Sequence, residues 1–112
     1  MIIKITPVFQ KLANKMLKQD LLEELYDFLE EQPESGKIIP NSGGIRKLRW
    51  KSSTNNKGKS GGIRVLYYYH KEILIILLTL YAKSDQENIK DQDLAKLRQN
   101  LPSLISRFME DL

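Results

Sequence analysis

Two strand-forming runs separated by only three polar residues constrain this chain more than any other feature. Residues 63–69 (Ile-Arg-Val-Leu-Tyr-Tyr-Tyr) and 73–81 (Ile-Leu-Ile-Ile-Leu-Leu-Thr-Leu-Tyr) are rich in branched and aromatic side chains and flank His70, Lys71 and Glu72. Strands joined by so short a connection can pair only as an antiparallel hairpin. The second run is almost unbroken in its apolarity, which marks a central, buried strand. A third strand is expected at 45–50, where Gly43-Gly44 opens a segment that interleaves apolar and basic residues, leaving one side wet and cationic.

The flanks read as helices. Ile2, Ile3 and Ile5 give a short strand signal, and Thr6-Pro7 then supplies an N-cap with proline at the first helical position. Phe9, Leu12, Ala13 and Met16 recur at helical spacing. Asp20 with Glu23 has the form of a capping box ahead of Leu21, Leu22, Leu25, Phe28 and Leu29, and Pro33 closes the segment. A last helical region beginning near Asp91 or Asp93 carries Leu94, Leu97, Leu101, Leu104, Ile105 and Phe108, with Pro102 expected to bend or restart it. The expected fold is α+β in a single domain over residues 1–112. It has a short N-terminal strand, two helices, a mainly antiparallel twisted sheet of about four strands, and a C-terminal helix.

Charge is distributed unevenly. Residues 1–35 hold 4 Lys/Arg against 7 Asp/Glu, residues 36–71 hold 9 against none, and residues 72–112 hold 5 against 7. All 6 glycines also lie in the middle block. Cations on an adaptable, acid-free backbone point to a polyanionic partner. Residues 51–62 contain no apolar anchor and read as a surface loop.

Several chemistries are excluded. The chain has 0 cysteines and 1 histidine, so disulfides, thiolate nucleophiles and paired imidazoles are ruled out. Gly58-Lys59-Ser60 resembles the end of a phosphate-binding P-loop, but Ser53 stands where that motif needs glycine and a strand follows where it needs a helix. Clustered carboxylates are missing from the basic block, which favours a metal-free, cofactor-free mechanism. No apolar run approaches the length of a membrane span, and no signal peptide is evident, so the chain is read as soluble and cytoplasmic.

The residues left are Arg46, Lys47, Arg49, Lys57, Lys59, Arg64, Tyr67, Tyr68, Tyr69, Tyr81 and Lys83. Arginine stabilises charge building on a phosphate, aromatic rings stack on splayed bases, and a lysine crowded by cations gives up its proton more readily. The 2′-OH of RNA supplies its own nucleophile. Three successive tyrosines on a strand alternate between faces, so at least one belongs to the core, and Trp50 reads as a core plug. Arg64 at the start of one hairpin strand and Lys83 just past the end of its neighbour are expected side by side at one end of the sheet.

The segments Gly43-Gly44-Ile45-Arg46-Lys47-Leu48-Arg49-Trp50, Lys57-Gly58-Lys59-Ser60-Gly61-Gly62-Ile63-Arg64-Val65-Leu66-Tyr67-Tyr68 and Leu78-Thr79-Leu80-Tyr81-Ala82-Lys83 resemble the HigB branch of the RelE/ParE toxin superfamily. The resemblance implies a RelE-like fold and the toxin of a type II toxin-antitoxin pair, a ribosome-dependent endoribonuclease that cuts messenger RNA. It implies that Arg64, Tyr81, Lys83, Lys57 and Lys59 form the catalytic group, and that Arg46, Lys47 and Arg49, with Tyr68 and His70, contact RNA. It further implies a cognate antitoxin of helix-turn-helix type, through which alone the toxin would meet operator DNA. The chain departs from many relatives at Ser60, where they carry a second basic residue, and in its longer loop. Two alternatives stay open on the sequence: a non-catalytic ParE-like gyrase poison and an inactive RNA-binding module. The general base is equally open among lysine, tyrosine and histidine.

Overall fold

The computed structural model describes residues 1–51 and 62–112. In chain order these form β1 (Ile2–Ile5), α1 (Pro7–Met16), α2 (Gln19–Glu31), β2 (Lys37–Ile38), β3 (Arg46–Trp50), β4 (Ile63–His70), β5 (Leu74–Ala82) and α3 (Asp91–Glu110). The strands make one five-stranded sheet in the order β1-β5-β4-β3-β2. β1 lies parallel to β5, and the other pairings are antiparallel. The fold is therefore the α+β arrangement expected, with a mixed sheet and one strand more than the sequence indicates. The extra strand, β2, is two residues long and too short to leave a periodic signal.

Alternation along the strands serves two layers. Val65, Tyr67, Ile75 and Leu77 face α1 and α2, where they meet Phe9, Ala13, Leu22, Leu25 and Leu29. Leu66, Leu74, Ile76 and Leu78 face α3 and meet Leu97, Leu101, Leu104 and Ile105. The unbroken apolarity of β5 follows from being covered on both sides.

The hairpin turns at His70–Ile73, with the Ile73 amide donating to the His70 carbonyl at 3.0 Å. Lys71 and Glu72 both have positive φ, 49° and 64°, a geometry whose twist suits a two-residue hairpin loop. Further along, Tyr67 pairs with Leu77 but Leu66 pairs with Thr79, so Leu78 is an extra residue on β5. Thr6 secures this bulge. Its amide donates to the Leu77 carbonyl at 3.1 Å and its hydroxyl donates to the Leu78 carbonyl at 2.8 Å. The same hydroxyl accepts from the Phe9 amide at 3.1 Å and so caps α1, as Thr6-Pro7 indicated.

Other local signals were overridden. α2 starts at Gln19 behind an extended Lys18, whose carbonyl accepts from the Leu22 amide at 3.1 Å. Asp20 is therefore in the first turn, where its charge suits the helix dipole, and is not the N-cap. Glu23 accepts from the Gln19 side chain at 3.0 Å instead of closing a capping box. α3 runs through Pro102 without restarting, because its apolar stripe continues on the sheet from Leu101 to Leu104 and Ile105. Gly36 is required by contact: a Cβ there would lie 2.8 Å from the ring of Tyr67. The buried Tyr67 hydroxyl accepts from the Gly36 amide at 2.9 Å and donates to the Pro33 carbonyl at 2.8 Å, tying the α2–β2 connection to the core.

Candidate functional site

The hairpin and β3 put three of the candidate residues in one row. Arg49 is the register partner of Arg64, and Arg64 that of Tyr81. With neighbouring strands about 4.8 Å apart, the row spans about 10 Å. All three occupy the face that carries Leu66 and Leu78, at the end of the sheet away from the hairpin turn. The bulge at Leu78 decides this: were the same residues paired without it, Tyr81 would face Ile63, on the side of Leu77, and Leu80 would face Arg64.

Two arginines directly opposite each other on adjacent strands repel. An anion between them relieves that repulsion, and a phosphodiester has the required charge and two non-bridging oxygens. Arg49 is exposed and Arg64 is buried, at 7% exposure. One Arg64 nitrogen donates to the Ile63 carbonyl at 3.3 Å, which restrains the guanidinium. Lys83 lies two residues beyond Tyr81, and its amide donates to the Gly62 carbonyl at 3.1 Å. Arg64 and Lys83 thus share the same end of the sheet, on adjoining strands.

Tyr81 is 9% exposed, and its hydroxyl has no hydrogen-bond partner among the described residues. Burial raises its pKa above the ordinary 10.0, while the Arg64 charge and the nearby Ile89 backbone pull weakly the other way. Packing of the ring among Leu78, Ile89 and Leu97 accounts for the desolvation, and a groove of about 610 Å³ with mixed apolar and polar walls runs past it. Tyr81 is consequently a neutral phenol at physiological pH, suited to donating a hydrogen bond and unsuited to accepting a proton as phenolate.

The other candidates are divided. Lys47 is on the same face as Arg64, two residue pairs nearer the turn, and its ammonium donates to the Asn88 side-chain carbonyl at 3.1 Å. Arg46 is on the opposite face. It pairs in register with Tyr67, donates to the carbonyls of Glu34 at 3.0 Å and Gly36 at 2.8 Å, and sits 3.7 Å from the Glu34 carboxylate. Of the three cations expected to contact RNA, Arg46 therefore does not share the face of Lys47 and Arg49, because adjacent strand residues point apart, and it braces the α2–β2 connection. His70 shares the face but closes the far end of β4, six residues and about 20 Å from Arg64. Tyr68 lies between them, half-buried, with its ring 5.9 Å from that of His70 and packed against Gly44. Neither joins the Arg49–Arg64–Tyr81 row. Trp50 is half-buried on the helical face, donates to the Leu21 carbonyl at 3.2 Å and packs on Phe28. Lys57 and Lys59 lie outside the described residues.

Asn88 was absent from the sequence expectations. Its contact with Lys47 joins residues 41 positions apart, and nothing local in the sequence marks it.

Comparison with known proteins identifies the family and the fold. Residues 2–111 match the family model described as the RelE toxin of the RelE/RelB toxin-antitoxin system. Among solved structures, the free state of an E. coli RelE toxin carrying two arginine-to-alanine substitutions has the same fold. It aligns with a TM-score of 0.53 at 16% identity, over 77% of this chain and 86% of the other. No helix among the described residues is long and apolar enough to cross a membrane. With the sheet order, the two helical layers and the match along nearly the whole sequence in agreement, the chain belongs to the RelE toxin family of type II toxin-antitoxin systems.

Proposed function

We propose that this toxin is a ribosome-dependent endoribonuclease of the HigB branch, cutting messenger RNA by metal-free attack of a ribose 2′-OH on the adjacent phosphate. The observation that carries the reading is the row Arg49, Arg64 and Tyr81 across three adjacent strands. The 2′ oxygen forms a bond to phosphorus, the bond to the 5′ oxygen breaks as that oxygen takes a proton from water, and a 2′,3′-cyclic phosphate and a 5′-hydroxyl end result. Arg64 and Arg49 balance the negative charge that builds on the non-bridging oxygens. Tyr81, holding its proton, donates to one of them.

The 2′ proton then goes to a lysine, because Tyr81 is held protonated and His70 lies about 20 Å away along β4. Lys83 is the candidate beside the row, with Lys57 and Lys59 as candidates from the loop. Lys47 grips the RNA backbone from the same face. A family of this kind works with a cognate antitoxin, and the proposed partner is a helix-turn-helix protein that also carries the toxin to operator DNA. A toxin acting on ribosome-bound messenger works in the cytoplasm.

The test is a translating extract with a mapped messenger, comparing the wild type with Arg64→Ala. Cleavage is expected to fall by about 10²- to 10³-fold, as for loss of one group that stabilises transition-state charge, with ribosome binding changed far less. Growth arrest with every transcript intact would refute the enzymatic reading. Inhibition of gyrase supercoiling in its place would establish the ParE-like alternative.

A further inference from the structure

The segment 83–90 leaves β5 and reaches α3 by crossing the face that bears the candidate site. Ile89 packs into the cluster containing Tyr81 and Leu66. Asn88, one residue earlier, accepts from Lys47 on β3 at 3.1 Å, and the Gln86 side chain donates to the Asn88 carbonyl at 3.0 Å. Lys47 pairs in register with Leu66, and Leu66 with Thr79. A segment that begins at β5 is therefore pinned two strands away, two residue pairs from the Arg49–Arg64–Tyr81 row. It packs over Tyr81, whose hydroxyl is inaccessible to solvent and so is out of reach of a phosphate oxygen while the segment is in place.

We propose that residues 83–90 form a strap that closes the site in the free toxin and is opened by RNA. The Lys47–Asn88 hydrogen bond is its latch. This inference rests on the RNA-cleaving reading and adds how substrate gains entry. The latch is exposed, so it opens at small cost. A phosphate offers the Lys47 ammonium a charged acceptor in place of a neutral amide oxygen, and the ammonium favours the former. RNA that captures Lys47 thereby frees Asn88, lifts the strap and uncovers Tyr81 for its own phosphodiester.

The strap can be followed without any cleavage. Amide hydrogen exchange over residues 84–90 and peptide-mapped nitration of Tyr81 by tetranitromethane report opening in the intact toxin. Asn88→Ala is expected to raise both about two- to fivefold, the range of an exposed polar contact. Asn88→Asp, which converts the latch to an ion pair, is expected to lower both, and the lowering is expected to fade at high salt. A trinucleotide with 2′-O-methyl riboses, which cannot be cut, is expected to raise strap exchange in the wild type. Unchanged nitration in both Asn88 variants, or slower strap exchange on adding the trinucleotide, would overturn the proposal. Growth arrest with every transcript intact would sink the enzymatic reading while leaving these exchange results intact, so the two failures are distinguishable.

Discussion

The two faces of the sheet are made from the same strands and have opposite characters. Toward α1 and α2 the surface is sealed: Phe9, Leu25, Leu29, Val65, Tyr67, Ile75 and Leu77 are each 0% exposed, and the Tyr67 hydroxyl has both a donor and an acceptor. Toward α3 only the end near the hairpin turn is apolar. The far end carries Lys47, Arg49 and Arg64, together with a tyrosine hydroxyl that has no partner among the described residues. The period of two along a strand lets β3 and β4 contribute to the core with one residue and to the site with the next. Stability is concentrated on one side and cationic charge on the other, so substitutions on the two sides should fail in different ways.

The sharpest way to break that contrast is Phe9→Ala. Removing a fully buried ring from the sealed face should cost about 3–5 kcal/mol of unfolding free energy in urea titration, and a loss near zero would mean that the face is not close-packed. Tyr67→Phe keeps the packing but strands the Gly36 amide and the Pro33 carbonyl. About 1–3 kcal/mol should be lost, with little change in messenger cleavage measured per folded molecule.

Thr6→Val removes the hydroxyl that caps α1 and braces the bulge, and about 1–2 kcal/mol of stability should go with it. Because the bulge aims Tyr81, this variant alone among the three should also lose cleavage per folded molecule. The smallest effect is a pH dependence. Burial raises the Tyr81 pKa, so the folded state holds that proton more tightly than the unfolded chain. The associated stability is intact below pH about 10 and fades as pH climbs through the folded value. The denaturation midpoint of the wild type should therefore fall more steeply above pH about 10 than that of Tyr81→Phe. Parallel curves would mean that the phenol is solvated.

The elements that could be read from sequence are those whose cause is local or strongly periodic. The hairpin, the Thr6 cap and the stripe of α3 each follow from residues close together in the chain, and the strands fall within one residue of the expected limits. β2 could not be read, because it depends on Gly36, Tyr67 and Arg46 meeting across more than twenty residues of sequence. The capping box expected at Asp20 and Glu23 does not form: the N-cap is Lys18, two residues earlier and without a side-chain cap, and Glu23 bonds to Gln19. For the site, Arg64 beside Lys83 followed from hairpin geometry alone. Grouping Arg46 with Lys47 did not, although strand alternation already assigns adjacent residues to opposite faces. The bulge that aims Tyr81 and the Asn88 latch had no signal, since both arise from contacts between segments remote in the chain.

The surplus residue at Leu78 has one more consequence. It divides the hairpin into two halves that are out of phase, so the half near His70 can be rebuilt as pure scaffold while the half near Arg64 keeps its orientation. Straightening β5 with every residue kept would turn the phenol into the hydrophobic interior and present Leu80 to the phosphate instead, whereas deleting Leu78 restores regular pairing and leaves Tyr81 opposite Arg64.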